Sequence, residues 1–318
     1  MENLRQINIK YNTKNKSINK RKSNTALQCY VMIALPLLGF IVFSVYPILW
    51  SFRWSMFSYN GAASTARFIG LENFVTLFTT DPTYWRMWVN TLLFAFCKMP
   101  LEIILAMSIA LLLNQRFKLT GFFRSVFYLP SVVSVAIIGL IFSNMFNHYG
   151  IINAFLLKLG VITENIDWFS YTHTAFATIV IASVWNTFGI NVMYLLAALS
   201  NVPNEIYESV TIDGASRARK FFSVTLPMIA PVFRTILLLS LIGTLGANDI
   251  VLTLTGGSPG GTTNTVMSYV TKRFVPGFTE DAKPALGYGC SMSIMTTIIL
   301  STIAIAYNKF SKKMNQLY

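Results

Sequence analysis

Lys98 and Glu102 stand four residues apart in the middle of a long apolar run, a spacing that puts both on one face of a helix where they can pair. Charge in such a run is costly, so the pair is either functional or a structural contact turned toward other helices. Few other polar side chains interrupt the apolar segments in this way: Asn186 and Asn191 in one, Asn248 and Asp249 in another. Amides and a carboxylate placed there can bind a polar ligand or a neighbouring helix. Covalent chemistry finds no support. His148 and His173 flank one polar loop with no cluster around them, and Cys29, Cys97 and Cys290 sit in apolar segments without metal-ligand spacing. Gly256, Gly257, Gly260 and Gly261 surround Pro259, but no Lys-Ser/Thr follows, so they read as a turn-rich loop rather than a phosphate cradle.

The elements that must position these groups are membrane spans. Of the residues, 54% are hydrophobic and 12% charged, against about 25% charged in a typical globular domain. A bilayer crossing needs roughly 20 apolar residues. Six segments meet that length: 26–50, 88–113, 125–146, 174–200, 234–254 and 285–307. Helices are expected throughout, because backbone groups cannot stay unpaired in lipid. The first run is too long for a secretory signal and ends in aromatics, so it is read as a retained span.

The net charge of +13 could suggest nucleic acid. Its lysines and arginines instead punctuate the ends of apolar runs, as topology signals do, which argues for the bilayer and against nucleic acid. With both termini cytoplasmic, 17 of the 25 basic residues lie inside, 7 lie outside and Lys98 lies within a span. Residues 1–25, rich in Asn and Lys, read as a disordered basic arm. Trp50, Trp54, Trp85, Trp88 and Trp168 fall near span ends and read as interfacial anchors.

Between the fourth and fifth spans lies a polar loop, 201–233, that no bilayer crossing requires. Pro203 suits the first turn of a helix. Glu205 and Glu208 follow where the helix dipole favours negative charge. Gly214 can take positive φ and turn the chain into a second short helix near 216–224, and Thr225-Leu226-Pro227 then ends the excursion. Such a segment should face a partner in water.

Glu208-Ser209-Val210, Asp213-Gly214-Ala215 and Leu226-Pro227 resemble the Glu-Ala-Ala, Asp-Gly-Ala and Leu-Pro series of binding-protein-dependent ABC-importer permeases, with Ser209 and Val210 replacing two alanines. Tyr46-Pro47, Gly70-Leu71-Glu72-Asn73-Phe74, Asn90-Thr91, Phe123-Arg124, Leu129-Pro130 and Asp249 followed by Leu254-Thr255-Gly256-Gly257-Ser258-Pro259 resemble the carbohydrate branch of that family, over residues 27–318. Ser258 replaces a glycine common there.

The resemblance implies an all-α, six-span type I permease fold. It implies that Glu205, Glu208, Asp213, Gly214, Ala215, Leu226 and Pro227 couple to an ATPase. Asn186, Asn191, Tyr194, Asn248, Asp249 and Tyr288 become candidates for the substrate pathway, the tyrosines offering an aromatic face to a sugar ring. The chain would bind no cofactor, with ATP and Mg held by partner subunits. Its partners would be a second, similar permease in a heterodimer, two ATPase subunits, a solute-binding protein at the 255–284 loop, and a sugar, in the cell membrane of a prokaryote. Three rivals stand beside this reading. An importer for glycerol 3-phosphate would want a fixed cation in the cavity, a membrane-embedded enzyme would want clustered Asp, His or Cys, and a channel without an ATPase would leave the Glu208–Gly214 loop without a purpose.

Overall fold

The computed structural model describes residues 28–62, 64, 66–115, 119–275 and 285–315. The basic arm expected at 1–25 lies outside them. Apart from the two-residue pairing of β1 (Phe57–Ser58) with β2 (Arg67–Phe68), the described elements are helical. Among the described residues, five helices are long and apolar enough to cross a membrane. They are α1 (Gln28–Trp54), α3 (Pro82–Leu113), α7 (Thr172–Ser200), α9 (Arg217–Leu245) and α12 (Leu286–Asn315). A short α2 (Glu72–Thr79) precedes α3. The span expected to begin at 88 starts two turns earlier: Pro82 enters the helix and the Asp81 side chain accepts the Tyr84 N–H at 3.0 Å.

The run expected as one span at 125–146 is broken. α4 (Thr120–Val132) and α5 (Val135–Met145) meet at 96° and make a sixth crossing only if taken together. Pro130 has no N–H to donate, and Val133 and Ser134 are extended, with ψ of 137° and 136°. Two hydrogen bonds to α7 brace the break. Asn186 Nδ2 donates to Pro130 O at 3.0 Å, and Ser131 Oγ donates to Asn186 O at 2.9 Å. Gly189 lets the two backbones touch, since a Cβ there would stand 2.0 Å from Phe127 O.

Thr225-Leu226-Pro227 does not end the excursion, and the stretch 234–254 is not one helix. α9 runs through Pro227 and Pro231 and stops at Leu245, and Asp249–Leu254 forms a separate α10 beyond Gly246-Ala247. A π turn, Phe221–Thr225, lies directly before Leu226-Pro227. Another, Ile41–Val45, lies directly before Tyr46-Pro47 in α1. In each, the wider turn absorbs the missing proline N–H without ending the helix.

The core has three layers. Toward the end carrying α8 (Asn204–Ile212), the Ile103–Leu113 half of α3 packs on Val192–Leu199 of α7 and on Ile229 and Ile236 of α9. Toward the opposite end, Phe94 meets Ile138 and Phe142 of α5, Ile179 and Val184 of α7, and Val251 of α10. A third cluster joins Leu77, Tyr84 and Trp88 to Val266 and Val270 of α11 (Val266–Lys272) and Met292 of α12. Trp88 is thus core rather than interfacial. Trp168 is half-buried: it packs on Phe146 and donates Nε1–H to Asn153 Oδ1 at 2.9 Å, beside α6 (Ile151–Lys158). α1 buries none of its side chains, and only its Tyr46–Trp54 end packs on α12.

Gly189→Ala should lower the melting temperature of the purified protein, because overpacking a backbone contact costs about 1–3 kcal/mol. Gly243→Ala, where a Cβ meets nothing within 4 Å, is the control and should leave it unchanged.

Candidate functional site

A cavity of about 630 Å³ opens between α3, α7, α9 and α10. Asn186, Asn191, Tyr194, Asn248 and Asp249 all line it, so five of the six residues singled out for a pathway come together. Tyr288 does not. Its hydroxyl donates to Asp81 Oδ2 at 2.8 Å, beside Tyr269 and Arg273. The carboxylate at the start of α3 draws it away from the cavity.

Lys98 and Glu102 lie in the cavity wall, 4% and 1% exposed, with Lys98 Nζ 3.1 Å from Glu102 Oε2. The pair is the centre of a larger network. Lys98 Nζ donates to Thr244 Oγ1 at 3.0 Å, and Ser240 Oγ donates to Glu102 Oε2 at 3.1 Å, so two i, i+4 pairs on α3 and α9 face each other. Asn191 Nδ2, from α7, donates to Glu102 Oε1 at 2.7 Å. Breaking a buried ion pair costs far more than its net contribution, because a bare charge remains; here Asn191 and Ser240 donate to Glu102 while Thr244 accepts from Lys98.

The candidate amides therefore differ in what they offer. Asn191 is spent on Glu102 and Asn186 on the α4 break. Asn248 Nδ2 donates to Asp249 Oδ1 at 3.0 Å, while Asn248 Oδ1 is enclosed without a donor. Asp249 is exposed to the cavity and Tyr194 is 43% exposed. Tyr194 and Asp249 are thus the groups exposed to a ligand, while Asn248 Oδ1 is unpaired but enclosed. The hydroxyls of Ser240 and Thr244 were missed in the sequence, although their spacing repeats that of Lys98 and Glu102 in an apolar stretch.

Below the cavity and its apolar layer, α8 joins α7 to α9. Pro203 is its N-cap rather than its first turn, and Glu205 lies in the first turn. The C-terminus closes on Gly214 at φ +72°, with Gly214 N–H bonding Thr211 O at 3.1 Å and Ala215 N–H bonding Val210 O at 3.2 Å. Ser216 then caps α9, its Oγ accepting from Arg219 N–H at 3.3 Å. Tyr207, which donates to Thr225 Oγ1 at 3.2 Å, and Lys220, which donates to Thr211 Oγ1 at 2.6 Å, tie α8 to the start of α9. No residue of α8 is buried, and Glu205, Glu208 and Asp213 are exposed. Leu226 is half-buried against the apolar layer, whereas Pro227 is exposed.

At the opposite end, Asn90 and Thr91 fix the 255–265 loop. Asn90 Nδ2 donates to Thr262 O at 2.9 Å and Asn264 O at 3.2 Å, and Val266 N–H donates to Thr91 Oγ1 at 2.9 Å. Lys272 Nζ donates to Gly256 O, and burial lowers the Lys272 pKa from its ordinary value. Nearby, Asn73 Nδ2 donates to Ser55 O at 2.8 Å and Phe57 O at 3.1 Å. His148 is not isolated, since its Nδ1 lies 2.6 Å from Asp167 Oδ1.

Membrane-length helices around a half-polar cavity, with an unburied helix slung beneath them, define a multi-pass membrane permease. The family described as "binding-protein-dependent transport system inner membrane component" matches residues 102–316, and the chain belongs to it. It is a permease subunit of an ABC importer, a transport component rather than an enzyme, and ATP hydrolysis resides on separate subunits. It is 34% identical over 300 residues to the trehalose/maltose transport system permease protein MalF of Thermococcus litoralis, covering 94% of this chain and 98% of that one. It is 36% identical over 247 residues to the lactose transport system permease protein LacF of Rhizobium radiobacter, covering 76% and 82%. The fold matches a solved bacterial ABC transporter that imports the acidic polysaccharide alginate, with a TM-score of 0.76 at 20% identity, over 89% of this chain and 94% of that one.

Glu102→Ala should destabilise the chain by about 3–5 kcal/mol, because it leaves the Lys98 ammonium buried and bare. Lys98→Met/Glu102→Met should recover only part of that loss, because no bare charge remains but Asn191 Nδ2 loses its acceptor. Thermal unfolding of the purified variants checks both.

Proposed function

We propose that this chain moves a sugar or oligosaccharide, handed over by a solute-binding protein, through the cavity between α3, α7, α9 and α10. The observation that carries the reading is that cavity itself. About 630 Å³ lies within the usual range of small-molecule sites. Its exposed groups include a phenol and a carboxylate, which suit the C–H face of a ring and hydroxyl donors. The relatives named for trehalose/maltose and for lactose transport support the same class.

In this reading the chain pairs with a second, similar permease as a heterodimer and with two ATPase subunits, which hold ATP and Mg; the chain itself binds no cofactor. Both termini are cytoplasmic, in the plasma membrane of a prokaryote. α1, which buries no side chain, leaves a long apolar face for lipid or the second permease. The ATPases grip α8 through Glu205, Glu208 and Asp213. Their closure draws the α8 segments together, and α7 and α9 reorient around the sugar. The 255–265 loop, held by Asn90 and Thr91, receives the binding protein. A phosphorylated polyol is the second reading, and the Asp249 carboxylate in the wall speaks against it.

The test is ATPase activity of the purified complex with binding protein and a panel of sugars. Stimulation by one neutral or acidic sugar supports the proposal, and a response confined to glycerol 3-phosphate overturns the substrate class. Gly214→Pro cannot adopt the positive φ of the α8 terminus, and Glu208→Lys reverses the charge of an exposed residue. Each should uncouple hydrolysis from uptake while the chain still inserts. Normal substrate-stimulated hydrolysis in both would remove α8 from the coupling role.

A further inference from the structure

Among the described residues lining the cavity, Lys98 is the one cation. An ammonium in a half-polar wall is a ready anchor for a carboxylate or a phosphate, since charge-assisted hydrogen bonds are the strong ones. In this chain the anchor is already occupied. Glu102 Oε2 stands 3.1 Å from Lys98 Nζ, and Thr244 Oγ1 takes a further ammonium proton at 3.0 Å.

Glu102 is not free to swing aside. Asn191 holds its Oε1 from α7 at 2.7 Å, and Ser240 holds its Oε2 from α9 at 3.1 Å. The pair therefore contributes no net charge to the wall, while the exposed Asp249 contributes a carboxylate. Relatives of this fold do not share one charge class of cargo: some are named for lactose or trehalose/maltose, one for sulfoquinovosyl glycerol, and the alginate importer for an acidic polysaccharide.

We propose that Glu102 is a specificity-determining residue: by neutralising Lys98 beside Asp249 it restricts the pathway to uncharged sugars and excludes carboxylate- or phosphate-bearing ones. The inference rests on the sugar-transport reading and names the charge class of its cargo.

The experiment measures sugar binding to the intact permease–ATPase complex in nanodiscs by ligand-detected NMR. The binding protein is left out because it applies a selectivity of its own. The probes are trehalose, maltose and lactose against the acids lactobionate and digalacturonate. The wild type should favour a neutral sugar over the acids by about tenfold or more, the scale of one charge-assisted hydrogen bond. Glu102→Gln, which frees the ammonium, should move the preference toward the acids by a similar factor. Lys98→Met/Glu102→Gln should restore the neutral preference. Asp249→Asn leaves the ion pair intact and should weaken the exclusion of acids severalfold, which keeps the test open if the unpaired lysine prevents assembly.

An assembled Glu102→Gln complex with unchanged preference overturns the proposal, as does a wild type that takes acids and neutral sugars alike. If Glu102→Gln does not assemble, unchanged exclusion in Asp249→Asn overturns it. A wild type that binds neither class overturns the sugar reading itself, and the inference falls with it.

Discussion

Three helices of this permease converge on one carboxylate. Glu102 of α3 accepts from Asn191 of α7 and Ser240 of α9 and pairs with Lys98, which reaches Thr244 of α9. Each bond is modest alone, but in a nearly dry interior the alternative for every member is an unsatisfied polar group. The network therefore fixes the register of α3 against α9, places the apolar layer below it, and gives the cavity a wall of defined charge. α7 and α9 are also the helices that run directly into α8, so the grip on the cavity and the mount of α8 share the same two struts.

A second constraint is the handling of prolines. Pro130 ends in a break whose carbonyl is met by Asn186, so a residue of the cavity also braces a corner of the fold. Pro47 and Pro227 instead follow π turns and leave their helices continuous. The difference is in the bracing: a neighbouring helix bonds Pro130 O at the break, and a widened turn of the same helix precedes each of the other two prolines.

The helices were legible because hydrophobicity and length report directly on the cost of exposing backbone to lipid. The motif around Glu208 and Gly214 was legible because a polar helix between two spans has few physical reasons to exist. What composition could not show was interruption. A 96° corner between Val132 and Val135 leaves the hydropathy of the run untouched, as does the end of α9 at Leu245, nine residues short of its apolar run. The cavity was half legible. Asparagines in apolar segments flagged the cavity's neighbourhood, yet spacing could not distinguish Asn191, committed to Glu102, from Asn248 with its unpaired oxygen. Tyr288 was misplaced because its partner, Asp81, lies 207 residues away in the chain. Trp88 looked interfacial by position, but its ring is buried in a core cluster that only the packed structure reveals.

The two ends of α8 are not anchored alike. Toward α7 it is joined through Asn201–Pro203, with only the buried Val202 pressed into the bundle. Toward α9 it is strapped by the side chains of Tyr207 and Lys220 across a glycine turn. α8 is therefore tied by side chains on its α9 side and by the hydrogen-bonded chain itself on its α7 side, so two cavity-lining helices share one exposed segment through unlike linkages.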